Sequence, residues 1–424
     1  MTDLTLRSAS GYTSGWRTGA LLATLLLVSS LSQIDRILPF ILAESIRTDL
    51  GLTDTQIGLL TGLAFAVCYT LLALPLARAA DRGSPRLVLV LCLLLWSAMT
   101  TLGGLAGGFV VLALTRLGVA VGEAGGTPAG HALIARRIRP ERRGLAIGLF
   151  AMGIPLGTMI GFVGGGMIDE AFGWRTAFIG AGAIGLGTAL LSWWVVGPTS
   201  PARRTTERTE PYLRAALRLL ADPAFRWLIV SAFVVGFASA PFYTFTAPFL
   251  IRTHGFTTSE VGLSFGLLQG LMGIAGTLVG GRLFDRAIRA GGRNLLVLPA
   301  ALFAVGAVTT AAALFVPDGR LAIALFVPGM LAFAFMLPWL FGAAHRVAGP
   351  GKEAMATSLG MVASGLAGPA LAPVLVGLIS DQATAAGIAN GLGLGLLIGP
   401  GASVLTAAAF LIAGARIARQ APAG

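Results

Sequence analysis

Charge is scarce in this chain: acidic and basic residues together make up 11% of its 424 residues. A soluble globular domain carries about 25%. Cysteine is scarcer still, with Cys68 and Cys92 the only two. Both lie in apolar runs, so neither a disulfide framework nor a cysteine metal site is expected. The three histidines, His131, His254 and His345, are scattered. Lysine is reduced to Lys352, the other 29 of the 30 basic residues being arginine, a bias that reads as genome composition. These shortages exclude an ordinary cytosolic globule and a disordered chain. They also argue against a membrane-embedded enzyme, because no nucleophile, base and metal set can be assembled. No metal and no organic cofactor is expected.

What the chain has instead is apolar sequence, 55% of its residues, with a mean hydropathy of +0.84. Long apolar runs recur at roughly 18–46, 55–79, 86–107, 109–135, 143–168, 174–197, 225–251, 259–283, 294–315, 320–344, 353–380 and 390–415. Each is long enough for a membrane-spanning helix of about 20 residues. The first run carries Asp35 and Arg36 and lacks a clear small-residue cleavage site, so it reads as a span and not as a signal peptide. The expected fold class is therefore an all-α integral membrane protein of twelve transmembrane helices.

The arginines orient these spans. With both termini cytoplasmic, the inner segments hold 24 basic residues and the outer ones four, Arg47, Arg175, Arg252 and Arg320. Arg36 and Arg116 fall inside spans. Such an asymmetry is a strong positive-inside signal, pointing to the cell (inner) membrane. It also accounts for the net charge of +12 without a nucleic-acid partner.

The one long polar stretch between spans, residues 197–224, splits the chain into two six-span halves. The expected organisation is a bundle at 1–197, a cytoplasmic linker at 198–224 and a second bundle at 225–424. Within the linker, Leu213, Leu217 and Leu220 share a helical face beside Arg214 and Arg218, which predicts a short amphipathic helix. It would lie on the membrane surface or serve as a solvated connector. No dedicated sensor domain fits in so short a linker.

The halves repeat each other. Residues 51–59, GLTDTQIGL, match residues 255–263, GFTTSEVGL, at an offset of 204. Both copies contain a capping box, Thr53 with Gln56 and Thr257 with Glu260. The same offset relates Asp81 and Arg82 to Asp285 and Arg286, and Asp169 matches Asp381 at 212. Parallel six-span repeats of this kind place a substrate site near the membrane midplane.

These residues carry a family likeness. The chain resembles the major facilitator superfamily of secondary transporters, whose loop signature is Gly-x-x-x-Asp-Arg-x-Gly-x-Arg. Residues 77–86, ARAADRGSPR, are a degenerate copy, and residues 281–286, GRLFDR, are a second. More narrowly, the first half is similar to the spinster-type branch through Ile34-Asp35-Arg36, residues 50–59, residues 116–126 (RLGVAVGEAGG), residues 140–143 (PERR) and residues 153–157 (GIPLG). Ser32 and Gln33 depart from the aromatic residue and asparagine found near this position in that branch. The likeness implies two six-helix bundles related by a pseudo-twofold axis, alternating access, and lysophospholipid or sphingolipid-like cargo, often coupled to protons.

Charges inside spans cost about 2.5–3.5 kcal/mol each on insertion scales and mark function by default. By helix rise, Asp35 and Arg116 sit at similar depth, about 27 and 28 Å from the inner ends of their helices, and are placed to pair. Glu123, seven residues after Arg116, lies two turns deeper on nearly the same face. Asp35, Arg36, Arg116 and Glu123 are thus the candidate proton-coupling and substrate residues, with His131 a relay candidate. Asp81, Arg82, Arg86, Asp285 and Arg286 are implied by the family to latch a cytoplasmic gate.

The second half holds no equivalent of the buried charges. Of 23 phenylalanines, 16 follow residue 222, and Phe326 and Phe333 stand where the first half has Arg116 and Glu123. One charged wall and one aromatic wall suit an amphiphile, with Tyr243, Gln269, Phe326, Phe333 and Trp339 as candidate contacts. The reading is a monomeric, proton-coupled carrier of an amphipathic lipid, in contact with membrane lipids. The alternative is a proton-driven exporter of hydrophobic drugs or other small organic molecules. Clusters of glycine at residues 164–166 and 391–395 follow no strand, so they are not phosphate loops. Gly122, Gly125 and Gly126 are expected to loosen the fourth span beside Glu123.

Overall fold

The computed structural model describes residues 15–198, 212–292, 294–349 and 352–420. Among these, every regular element is helical and no strand occurs. Eleven helices are long and apolar enough to cross a membrane. In chain order they are α1 (Trp16–Ile41), α2 (Asp54–Arg82), α3 (Pro85–Gly103), α4 (Phe109–Arg137), α5 (Pro140–Phe172), α6 (Trp174–Val195), α7 (Pro223–His254), α8 (Thr258–Arg289), α10 (Gly319–Ala348), α11 (Met355–Ala385) and α12 (Gly391–Gln420). The remaining expected span is α9 (Val297–Ala313), an apolar helix of 17 residues. At 1.5 Å per residue it covers about 25 Å. The chain is a multi-pass membrane protein.

Local chemistry explains where these helices start and bend. Gly51 and Gly255 take left-handed φ values of 62° and 70° and end the preceding helices, where a side chain would strain the backbone. Two residues on, Thr53 and Thr257 open α2 and α8 with the expected capping boxes, both formed with Gln56 and Glu260. Each helix then passes through a π-helical turn at equivalent repeat positions, Leu59–Leu63 and Gly262–Gly266. In α5 and α11 the helix breaks just before Pro155 and Pro369, at Met152 and Leu366. A proline has no N–H to give to the preceding turn, so the ladder opens there.

Packing divides the chain into two compact units. The first is made by the described residues of 1–39 and 67–205, the second by those of 40–66 and 206–424. Residues 40–66, which belong to the first half by sequence, pack with the second.

In the first unit, a glycine stripe on α5 sets the position of α1. A Cβ at Gly153 would lie 2.4 Å from the Ser29 side chain, and one at Gly157 would lie 2.4 Å from the Ser30 carbonyl oxygen. At Gly161 it would meet Ile37 at 3.0 Å. Small residues at this spacing let two membrane helices touch along their backbones. Gln33 Nε2 donates to Thr158 Oγ1 across the same contact at 3.2 Å, fixing the register of α1. The glycines of α4 act the same way. A Cβ at Gly122 would sit 2.7 Å from the Trp96 nitrogen on α3, and one at Gly125 would sit 2.5 Å from Cys92 Sγ. They draw α4 onto α3, and α4 runs unbroken past Pro128, so the expected loosening beside Glu123 is replaced by close packing.

The second unit has an aromatic core built by Phe225, Phe303, Phe335, Trp339 and Phe410. Of the linker, residues 199–211 lie outside the described residues. The short helix forms at Tyr212–Ala221. Its packed face is Ala216 and Leu219, both buried, while Leu217 is exposed. Of the leucine face expected from the sequence, Leu220 packs against the same core and Leu217 does not. Leu219 joins the core at the start of α7, where Ala224 and Phe225 belong to the same cluster.

Replacing Gly157 by Leu should push α1 away from α5 and destabilise the protein by about 1–3 kcal/mol, the usual penalty of overpacking. Gly164→Leu, where an added Cβ meets nothing within 4 Å, should leave stability unchanged. Thermal unfolding of the purified protein in detergent distinguishes the two.

Candidate functional site

The four charges singled out in α1 and α4 all fall in the first unit, and three of them are buried. Asp35, Arg116 and Glu123 are 4%, 3% and 1% exposed. An ion pair not expected from the sequence forms among them. The ion pair is Arg36 with Glu123, Nε to Oε2 at 2.6 Å. Ser32 Oγ donates to the same Oε2 at 3.2 Å. Glu123 Oε1 is buried with no hydrogen-bond partner among the described residues. Arg116 meets Asp35 through the main chain, Nη1 donating to the Asp35 carbonyl oxygen at 3.2 Å.

The reason lies in helix geometry. Asp35 and Arg36 are consecutive, so their side chains leave α1 about 100° apart. The register imposed by the α5 stripe turns Arg36, and Ser32 one turn before it, toward Glu123. Arg36 also lies over the ring of Tyr69, 4.6 Å from its centroid. Its guanidinium is thus held between a carboxylate and an aromatic face, with 29% of the side chain exposed, while Glu123 is fully covered. Ser32 and Tyr69 were not singled out from sequence. Ser32 had a signal, lying at helical spacing i, i+4 from Arg36; Tyr69, on another helix, had none.

His131 is not brought to Glu123. It is exposed, and its ring meets Phe150 edge-on at 5.4 Å. Four of the five loop charges stay at the surface. Asp81, Arg82, Asp285 and Arg286 are exposed, and their side chains make no ion pair among the described residues. Arg86 instead stacks on Trp193, 3.9 Å from the ring centroid, and donates to the Trp193 carbonyl. The end of α2 is held by Arg136, which donates to the carbonyls of Ala80 at 3.0 Å, Asp81 at 2.6 Å and Gly83 at 3.1 Å. A cation there satisfies orphan carbonyls and the helix dipole together.

Among the contacts expected in the second half, Phe326 and Trp339 are core residues, 1% and 2% exposed. Phe242, Phe326 and Phe333 form one aromatic cluster, with Phe242 5.5 Å from each of the other two. This cluster borders an apolar recess that Phe303 and Pro400 also line. Gln269 Nε2 donates to Tyr243 Oη at 2.8 Å, so these two are brought together.

A second charged cluster lies in the second unit and was not foreseen as a site. Arg252, at the end of α7, grips Asp54 with both terminal nitrogens, at 2.8 and 2.5 Å. Its Nε donates to Glu44 Oε2 at 2.5 Å, and Glu44 also pairs with Arg47 at 2.7 Å. From α11, Ser380 donates to Asp54 Oδ2 at 2.6 Å. Asp381 accepts from the backbone N–H groups of Asp54 and Thr55, both at 2.9 Å.

The Major Facilitator Superfamily profile matches residues 25–373. The chain belongs to the Major Facilitator Superfamily. It is 36% identical over 408 residues to an "MFS-type efflux pump" of Mycolicibacterium smegmatis, covering 95% of this chain and 94% of that one. A "Probable sulfoacetate transporter" of Cupriavidus necator is 30% identical over 296 residues, 67% of this chain and 68% of the relative. Among solved structures, a bacterial homologue of the human lysosomal transporter Spinster, inward-facing and unoccupied, superposes with a TM-score of 0.85 at 27% identity. That match covers 97% of this chain and 100% of the other. The chain is a major facilitator transporter of the spinster-type branch, not an enzyme.

Removing Arg36 alone should be the more damaging way to alter the buried pair. Arg36→Leu leaves the Glu123 carboxylate covered and unpaired, a loss of about 3–5 kcal/mol. The double replacement Arg36→Leu with Glu123→Leu should recover most of it. Equilibrium unfolding in detergent measures both.

Proposed function

We propose that this transporter is a proton-coupled secondary carrier of an amphipathic, lipid-like substrate, working by alternating access with both termini on the cytoplasmic side of the inner membrane. The observation that carries the reading is Glu123. Its Oε2 is occupied by Arg36 and Ser32, while Oε1 has no partner among the described residues. A proton arriving at this carboxylate cancels the charge that holds Arg36. The guanidinium, part-exposed and steadied by Tyr69, is then available to an anionic or zwitterionic head group. Arginine suits that role, because its planar fork matches phosphate and carboxylate oxygens. Asp35 and Arg116 keep the surroundings polar. The aromatic character of the second unit supports an acyl tail as the other part of the cargo, and the spinster-type likeness supports the same class. The proton is the coupling ion in this reading, and no further cofactor enters it.

The efflux-pump relative favours a second reading, proton-driven export of hydrophobic drugs or other small organic molecules. Both use Glu123 in the same way and differ in whether a charged head group is required.

Flux of a labelled lysophospholipid into proteoliposomes, with and without an imposed pH gradient, separates them. The expected result is gradient-dependent flux that falls at least tenfold in Glu123→Gln. Flux of neutral hydrophobic compounds with none of the lysolipid would move the assignment to the exporter. Flux indifferent to both the gradient and the substitution would remove the proton role.

A further inference from the structure

We infer that the cluster of Glu44, Arg47, Asp54, Arg252, Ser380 and Asp381 is an outer clasp, closed in this structure, whose opening admits the outward-facing state. The positive-inside orientation puts these residues at the outer ends of their helices. The inference holds whatever the cargo and whether or not protons drive it, because it concerns only the two states a carrier of this family must visit.

Three kinds of contact make the clasp, and all lie within the second unit. The first is ionic. Arg252 on α7 joins Glu44 and Asp54, residues that follow α1 and open α2. A bidentate arginine fork of this kind fixes direction as well as distance. The second is a helix cap. Asp381 on α11 accepts from the first N–H groups of α2 and from Thr55 Oγ1, at 2.6 Å. These N–H groups are orphans of any helix start, so the carboxylate meets donors that have no partner inside α2. The third is steric. Added Cβ atoms at Gly58 and Gly62 of α2 would stand 2.4 and 2.5 Å from the carbonyl oxygens of Pro373 and Pro369 on α11. One at Gly377 would stand 2.4 Å from the Asp54 carbonyl oxygen. Backbones in such contact form a close seam along about two helical turns.

The arrangement is suited to opening as well as closing. Three carboxylates face two guanidiniums, so the cluster keeps one uncompensated negative charge and is not a fully neutral buried network. Arg252 keeps part of its side chain exposed, 24%, and Glu44 14%, so water can replace these partners as the ends separate. Asp54, 4% exposed, and Ser380, 0% exposed, must be newly hydrated. The seam beneath is apolar and glycine-lined, and it separates without breaking any hydrogen bond of its own. The sequence repeat places the capping aspartate and the capped helix in one half-to-half motif, since α2 comes from the first six spans and α11 from the second.

The test reads conformation without substrate or gradient. Cys68 and Cys92 are replaced by alanine, and spin labels are placed at Thr48 and Thr384, both exposed and on opposite sides of the clasp. Distances are measured by pulsed electron paramagnetic resonance on the full chain in lipid nanodiscs. Arg252→Gln and Gly58→Leu attack the ionic grip and the seam separately. Each should raise the share of a longer distance about tenfold over the parent protein. Asp381→Asn, which keeps shape and one acceptor, should do so to a smaller extent and serves if either variant fails to fold. An unchanged distance distribution in these variants overturns the clasp, even where their melting temperatures fall, because a merely structural cluster would lower stability without populating a second distance. Failure here leaves the proton and lipid reading untouched, and failure of that reading leaves this one untouched.

Discussion

The first unit is organised around one contact that a membrane makes expensive, the guanidinium of Arg36 against the carboxylate of Glu123. Either charge alone inside the bilayer would be costly. Together they are tolerable only if the geometry is held, and several features of the unit hold it. The glycine stripe of α5 brings α1 to within backbone contact. Gln33 and Thr158 pin its register. Gly122, next to Glu123 in sequence, lets α4 close onto α3. Tyr69 covers the outer face of the guanidinium. Small residues and polar contacts far from any substrate thus serve the position of two atoms.

Much of this was legible in the sequence, and the missing part has a physical cause. Hydropathy and arginine placement read out the spans, because the bilayer imposes its length and charge rules on every helix separately. The capping boxes at Thr53 and Thr257 were equally local, and both formed as expected. The identity of the buried charges was legible as well, since a charge in an apolar run needs no partner to be noticed. Their partners were not. Depth along a helix follows from residue count, and it placed Asp35 level with Arg116. Rotation about the axis does not follow from one helix alone. Here the α5 glycines decide it, and they turn Arg36 toward Glu123 and leave Arg116 to the Asp35 carbonyl. The same limit hid the Arg252 cluster. Arg252, Ser380 and Asp381 lie 198 to 327 residues from their partners along the chain, and each charge looked like an ordinary one at a helix end.

The two halves show how a repeat diverges. Turn, capping box and π-helical turn recur at matching places, because both copies must enter the membrane and bend in the same way. The side chains that follow the bends do not recur. Both units pack glycine against helix backbone, but the second adds an aromatic core of phenylalanine. Shared backbone devices with unshared side chains are what a duplicated scaffold keeps when its two copies take different tasks.

Burial also separates the two charged clusters by what each can do. The Glu123 carboxylate is fully covered while Arg36 keeps 29% of its side chain exposed, so water reaches the cation of that pair and not its anion. In the proposed reading, protonation of Glu123 is what releases the pair. The cluster at Arg252 sits at helix ends with partly exposed cations, where ion pairs are weakly stabilising and water is an alternative partner. It can be exchanged by motion alone, with no change in protonation. In the proposed cycle one lock answers to protonation and the other to movement, and the contrast between the covered Glu123 carboxylate and the part-exposed Glu44 carboxylate supports that order.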